Sequence, residues 1–232
     1  MLVCLTNDYE CESVDPMQPF RSISLAILST AVALSATSAD PPMPDQTGDK
    51  ARNILQAWLG KTMANMNPRI EPKVIPITHE AIGLVFPTDH FFGVYLPRWP
   101  RAVIPPEPLS LETVVCVTES GAVEPIGSYD KLREFLVHKV AGVTDEKKAG
   151  AATMASLLLA AFGAKGAPYQ LGNPDIAVVN QGDRLISNGT VSVTESGRGN
   201  IKVTLAFEPD GRISPNDIKI NSSTRPGPPG SG

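Results

Sequence analysis

From Ala149 to Ala164 the chain runs 16 residues without a charge, and from Met154 to Phe162 it is apolar on every side of a helix. Thr144, Asp145 and Glu146 precede this run and open it as a helix, since hydroxyl and acidic side chains suit the first turn. A bilayer span needs about 20 apolar residues, so the run is too short to cross a membrane. It reads as a central buried helix, and a helix that is apolar all round must be covered by the rest of its own chain.

The cover comes from patterns on either side. From Ile176 onward the sequence reads as a β-meander punctuated by Asn188-Gly189, by Gly197 to Asn200 and by Asp210-Gly211, all turn-forming combinations. Ile201, Val203, Leu205 and Phe207 alternate with Lys202, Thr204 and Glu208, which marks one apolar and one polar face. Upstream, Ala51, Ile54, Leu55, Trp58, Leu59, Met63 and Met66 fall at helical spacing behind Asp49, which predicts a helix over 51–66 ended by Pro68. Tyr129, Leu132, Phe135, Leu136 and Val140 predict a second helix, capped by Ser128 and closed by Gly142.

Between these helices the period changes. Ile82, Leu84 and Phe86 alternate, Pro87 to His90 intervene, and Phe91 to Leu96 is aromatic and β-branched, which predicts a hairpin with a four-residue loop. A second hairpin is expected over Thr113 to Ile126, turning at Ser120-Gly121. Between the two, Pro97, Pro100, Pro105, Pro106 and Pro108 keep the backbone extended over the surface. The expected class is therefore α+β, an antiparallel β-meander sheet packed against two or three helices. The sequence V-x-V-T-E-S-G occurs twice, at Val115–Gly121 and Val191–Gly197. Without matching flanks it reads as two strands sharing turn chemistry rather than as a duplication.

The N-terminal region reads as a leader. Met17 to Arg21 is a short basic start, Ser22 to Leu34 is uncharged and largely apolar, and Thr37 and Ala39 supply small residues before Asp40, the pattern of a secretory signal peptide. Asp8, Glu10, Glu12 and Asp15 have the wrong charge for such a start, which places the expected start at Met17 within a leader region spanning 1–39. A Pro-rich linker is expected over 40–49, one domain over 50–223, and a Pro/Gly tail over 224–232. With 22 Pro, 19 Gly, 42% hydrophobic and 19% charged residues in 232, the chain stays below the ~25–30% Pro and Gly of low-complexity segments, so a folded core is expected.

Cleavage after Ala39 removes Arg21 and the four acids named above, which brings the net charge from −4 to −1. A near-neutral chain without a Lys/Arg cluster lacks the footprint that nucleic acid or an anionic membrane demands. The same cut removes Cys4 and Cys11, leaving Cys116 with no partner for an internal disulfide. The implied localisation is secreted or periplasmic.

Residues able to do chemistry are sparse. The three histidines are His79, His90 and His138. His79-Glu80 begins like H-E-x-x-H but Gly83 breaks the motif, and a strand through 82–86 would hold His79 about 23 Å from the Pro87–His90 turn. His138 reads as a solvated helix residue. Ser128-Tyr-Asp-Lys131 matches S-x-x-K, yet neither S-D-N nor K-T-G occurs, so capping is the expected role of Ser128. Gly60-Lys61-Thr62 lacks the leading glycine of a phosphate loop. Cys116, between Val115 and Val117, reads as a buried, unreactive thiol. The sequons at Asn188 and Asn221 read as turn chemistry.

One candidate surface remains. Phe86, Phe91, Phe92, Tyr95 and Trp99 cluster before the proline-rich segment that carries Arg98 and Arg101. Aromatics and arginine on a rigid segment form a binding anchor, and Tyr95, Arg98, Trp99 and Arg101 are the candidate binding residues. The alternative is a metal-dependent or acid–base hydrolase using Asp89 and His90, with Glu80.

The leader, F86-P-T-D-H-F-F-G-V-Y-L, P105-P-E-P108, V114-V-C-V-T-E-S-G with L132-R-E-F-L, and V203-T-L-A-F-E-P-D-G-R-I together resemble uncharacterised exported proteins of bacteria, a family without an assigned activity. More loosely, the order of helix then antiparallel meander is similar to cystatin-like and PepSY-type envelope modules. The resemblance implies export and no mechanism. The expected function is a non-catalytic exported envelope module that binds a protein or peptide, with no catalytic residues, cofactor or metal, no nucleic-acid partner and no membrane span in the mature chain.

Overall fold

The computed structural model describes residues 46–64, 71–97, 108–162, 170–195 and 197–224. Every described residue belongs to one compact unit, Pro44–Gly232. The leader, most of the linker and the tail beyond Thr224 lie outside the described residues.

The fold is α+β. Its elements run α1 (Gln46–Thr62), β1 (Lys73–Pro76), α2 (Glu80–Val85), β2 (His90–Tyr95), β3 (Glu112–Val117), β4 (Val123–Ile126), α3 (Tyr129–Lys139), α4 (Glu146–Phe162), β5 (Gln170–Leu171), β6 (Asp175–Gln181), β7 (Arg184–Glu195), β8 (Gly197–Phe207) and β9 (Lys219–Thr224). The strands form two antiparallel sheets rather than one. The first has the order β1-β2-β3-β4; the second has the order β5-β7-β8-β9, with β6 also paired to β7.

The first sheet is buried on both faces, which is why β2 and β3 read as nearly unbroken apolar runs. Phe92 and Val94 of β2 and Val115 and Val117 of β3 pack against Ala51, Leu55 and Leu59 of α1. Phe91 of β2 and Val114 and Cys116 of β3 point the other way, into the main core with α2, α3 and α4, as the two-residue side-chain period of a strand requires.

Helix α4 is the centre of that core. Ala149, Ala152, Thr153, Ala155, Ser156, Leu157, Leu159, Ala160 and Ala161 are all buried, and the helix packs on α2, β3, β6, β7 and β8. Its buried hydroxyls are satisfied: Thr153 Oγ1 donates to Ser187 Oγ at 2.6 Å, and Ser156 Oγ donates to the Ala152 carbonyl at 2.7 Å. Left unpaired, each would cost about 1–3 kcal/mol. A Cβ on Gly189 of β7 would lie 2.5 Å from Thr153 Cγ2 and 2.8 Å from Leu157 Cδ1, so the missing side chain is what lets α4 sit down on the sheet. None of the described helices is long and apolar enough to cross a membrane.

Local signals explain most boundaries. Ser128 Oγ accepts from the Lys131 amide at 3.2 Å and starts α3. Gly121, at φ +84°, turns β3 into β4, a left-handed conformation that suits glycine. Several expectations fail. Helix α1 spans Gln46–Thr62 instead of 51–66, so it takes in the end of the expected linker and Asp49 lies in its first turn instead of capping it. Residues 80–85 form a helix, not a strand, so the first expected hairpin does not exist. Asn188-Gly189 lies inside β7, and the turn falls at Gly182-Asp183, with Gly182 at φ +68°. The Gly197–Asn200 segment is not a turn but pairs in β8 with Ser192–Glu195. The sequon residues Asn188 and Asn221 accordingly sit in strands β7 and β9.

Candidate functional site

The corner where α2 meets β2 is built from the N-cap of α2. His79 Nδ1 accepts from the Ala81 amide at 3.1 Å, and the His79 carbonyl accepts from the amides of Ile82 and Gly83. Ile82 and Phe86 then fall one helical turn apart and are buried, while Leu84 is 47% exposed. Pro87 stops the helix. The chain swings through Asp89 into β2, where the Phe91 carbonyl accepts from the Ile77 amide at 2.8 Å and closes the corner.

This corner and the first turns of α1 enclose a cleft of about 430 Å3. Its apolar lining includes Ile82, Phe86, Phe91 and Phe92, all buried, although Phe91 and Phe92 turn to opposite faces of the first sheet. Its rim carries Asp49 and Arg52 from α1, His79 at the α2 cap, and Asp89 and His90 at the entry to β2. The strand expectation put His79 far from this turn; the helix of 80–85 shortens the path and brings His79, Asp89 and His90 to one cavity, which corrects it.

The rim is not wired as a catalytic relay. Among the described residues, no ion pair or side-chain hydrogen bond joins Asp49, Arg52, Asp89 or His90 to one another, and the Nδ1 of His79 is occupied by its own backbone cap. Nucleophilic catalysis needs a nucleophile bonded to a base that a third group orients. No group of three His, Cys, Asp or Glu among the described residues is placed to hold a metal ion.

Within the main core, Phe86, Phe91 and Phe135 form an aromatic triad with centroid separations of 5.1, 5.7 and 5.7 Å. Lys139 lies 5.8 Å from the Phe135 centroid and donates to Glu124 Oε1 at 3.0 Å. Burial alone would lower the pKa of the Lys139 ammonium, but the hydrogen bond and charge of Glu124, with the Asp89 carboxylate beyond, hold it above its ordinary value. Cys116 pairs with Phe91 in register. Burial, reinforced by the Asp89 and Glu124 carboxylates, pushes its thiol far up, so the neutral form persists. His138 is exposed on α3.

Of the candidate binding residues, Tyr95 is half-buried at the far end of β2, paired with Lys73 and Glu112. It lies five residues, roughly 16 Å, along the strand from His90. Arg98, Trp99 and Arg101 lie outside the described residues. The cleft was missed because its polar residues come from three separate segments and α2 is too short for a period test. The signal that could have found it is His79 as the N-cap of a helix stopped by Pro87. Comparison with known proteins finds no matching family model, curated protein or solved structure.

Proposed function

We propose that the chain is an exported, non-catalytic binding module that engages an envelope protein or peptide through the cleft at the α1–α2–β2 corner. The observation that carries this reading is the cleft itself: an apolar lining under a rim of mixed charge whose polar groups are not committed to one another. A volume of about 430 Å3 is in the range of ligand-binding clefts, ~300–1,000 Å3. The apolar lining is already buried in the core, so the separately presented Arg, His and Asp groups of the rim are what would select the partner's charges. Export rests on the leader over 17–39 and on the resemblance to exported bacterial proteins. Tyr95, Arg98, Trp99 and Arg101 form the second anchor of the same reading. The test is recovery of a partner from envelope extract with wild-type and Trp99→Ala chains of equal thermal stability. Loss with Trp99→Ala is expected; retained recovery removes the segment from the binding face.

A second reading has one observation in its favour: His79, Asp89 and His90 share a cavity. A hydrolase there would use an imidazole as general base and the carboxylate to orient it or to hold a metal. Metal analysis of the purified chain with a general hydrolase panel separates the two. Turnover that disappears in His90→Ala would establish this reading, and two blanks would end it.

A further inference from the structure

Three backbone amides at the α2 corner are spent on one residue. His79 caps α2 from an extended backbone, at φ −162° and ψ 149°. Its carbonyl accepts from the amides of Ile82 at 3.0 Å and Gly83 at 3.1 Å, and its ring Nδ1 accepts from the Ala81 amide at 3.1 Å. These amides are therefore closed to a partner, and what His79 presents to the cleft is the imidazole.

A neutral imidazole carries a proton on one ring nitrogen and a lone pair on the other. Nδ1 holds the lone pair, because it accepts the Ala81 N–H, so the proton sits on Nε2. His79 is exposed and lines the cleft, and its Nε2 makes no hydrogen bond among the described residues. Backbone and ring are tied to the same turn, so the ring is oriented before anything binds, which spares a partner the cost of ordering it.

We infer that His79 is a specificity-determining hydrogen-bond donor of the cleft, whose Nε2–H meets an oxygen acceptor of the partner, a peptide carbonyl or a carboxylate, and rejects an ammonium. This rests on the binding reading of the cleft. The other charged or titratable side chains of the rim are Asp49 and Arg52 from α1 and Asp89 and His90 at the entry to β2. An ammonium has three donors and no acceptor, so it can pair with Asp49 or Asp89 but not with His79. In the hydrolase reading the same proton takes His79 out of the role of general base, since a base must turn a bare nitrogen to the proton it abstracts, and that role falls to His90.

Long-range proton–nitrogen NMR of the full chain in mildly alkaline buffer reads the ring directly. The Nε2–H form is expected at His79; the Nδ1–H form overturns the inference. Titration with acetate, N-methylacetamide and methylammonium then reads the partner chemistry. A saturable shift of His79 Nε2 with acetate alone assigns a carboxylate, and one with N-methylacetamide assigns a carbonyl. No shift with either oxygen probe, or an equal shift with methylammonium, overturns the inference. His79→Asp keeps a capping oxygen but has no donor. It is expected to keep the melting temperature, to lose the response of the Gly83 amide to the oxygen probes and to gain one to methylammonium; an unchanged response in the folded variant overturns the inference as well. These shifts are read on the protein alone, so they stand or fall apart from recovery of a partner out of envelope extract.

Discussion

Cys116 sits opposite Phe91 in the first sheet and is fully buried with its thiol held neutral. Because the thiolate is the reactive species, a soluble alkylating reagent should label Cys116 only as the chain unfolds, with the labelling midpoint in urea matching that from circular dichroism. Stoichiometric labelling under native conditions would show that the core opens at this corner. Arg184 makes the opposite use of charge. Its Nη2 donates to Glu208 at 2.8 Å and to Asp217 at 2.9 Å, and Ser214 Oγ donates to Asp217 at 3.0 Å. The hydrogen bond from Arg184, then that from Ser214, holds Asp217 below its ordinary value. A depressed carboxylate contributes stability above its unfolded value, near ~3.9 for Asp, and loses it as the pH falls through its folded value. Asp217→Asn should therefore lower stability at neutral pH and flatten the loss below about pH 4, read from urea midpoints at a series of pH values. An unchanged acid limb would mean the ion pair makes no net contribution. At His79 the capping role predicts that His79→Asn keeps thermal stability while His79→Ala loses about 1 kcal/mol, since asparagine caps and alanine does not.

At the scale of elements, glycines separate close packing from free surface. Gly189→Ala should destabilise by about 1–3 kcal/mol, because its Cβ meets Thr153 and Leu157 on a helix fixed between two sheets. Gly60→Ala should stabilise by about 0.5–1 kcal/mol, because it lies within α1 with nothing near its Cβ. Urea unfolding of both variants checks the pair. The same elements show what was legible in advance. α3 announced itself through Ser128 and a helical apolar stripe, although it ends at Lys139 with Val140 as its cap and not at Gly142. α4 did so through a long run that only complete burial could accommodate. α2 did not, because Ile82 and Phe86 are four apart and fit a strand or a helix equally; the exposed Leu84 decides between them, and exposure is not written in the sequence. The Asn188-Gly189 pair misled for a related reason: glycine marked a close approach of α4, not a turn. The candidate site was less legible than the fold, since its rim depends on α1, α2 and β2 meeting at one corner.

At the scale of the molecule, the first sheet carries α1 on one face and the α2–α4 layer on the other, and α4 links that layer to the second sheet. The two faces of the first sheet belong to separate clusters, so α1 covers its own small core, and the cleft opens where the first turns of that helix meet the α2–β2 corner. Arg52 is exposed on α1 and His90 is half-exposed at the start of β2, so replacing both by alanine alters the rim and leaves the apolar lining in place. Quantified recovery of a partner from envelope extract, wild type against Arg52→Ala/His90→Ala at matched thermal stability, addresses the binding cleft most directly. A binding cleft at this corner requires a loss of at least about tenfold, the equivalent of ~1.4 kcal/mol of binding free energy. Equal recovery by the two chains would contradict it.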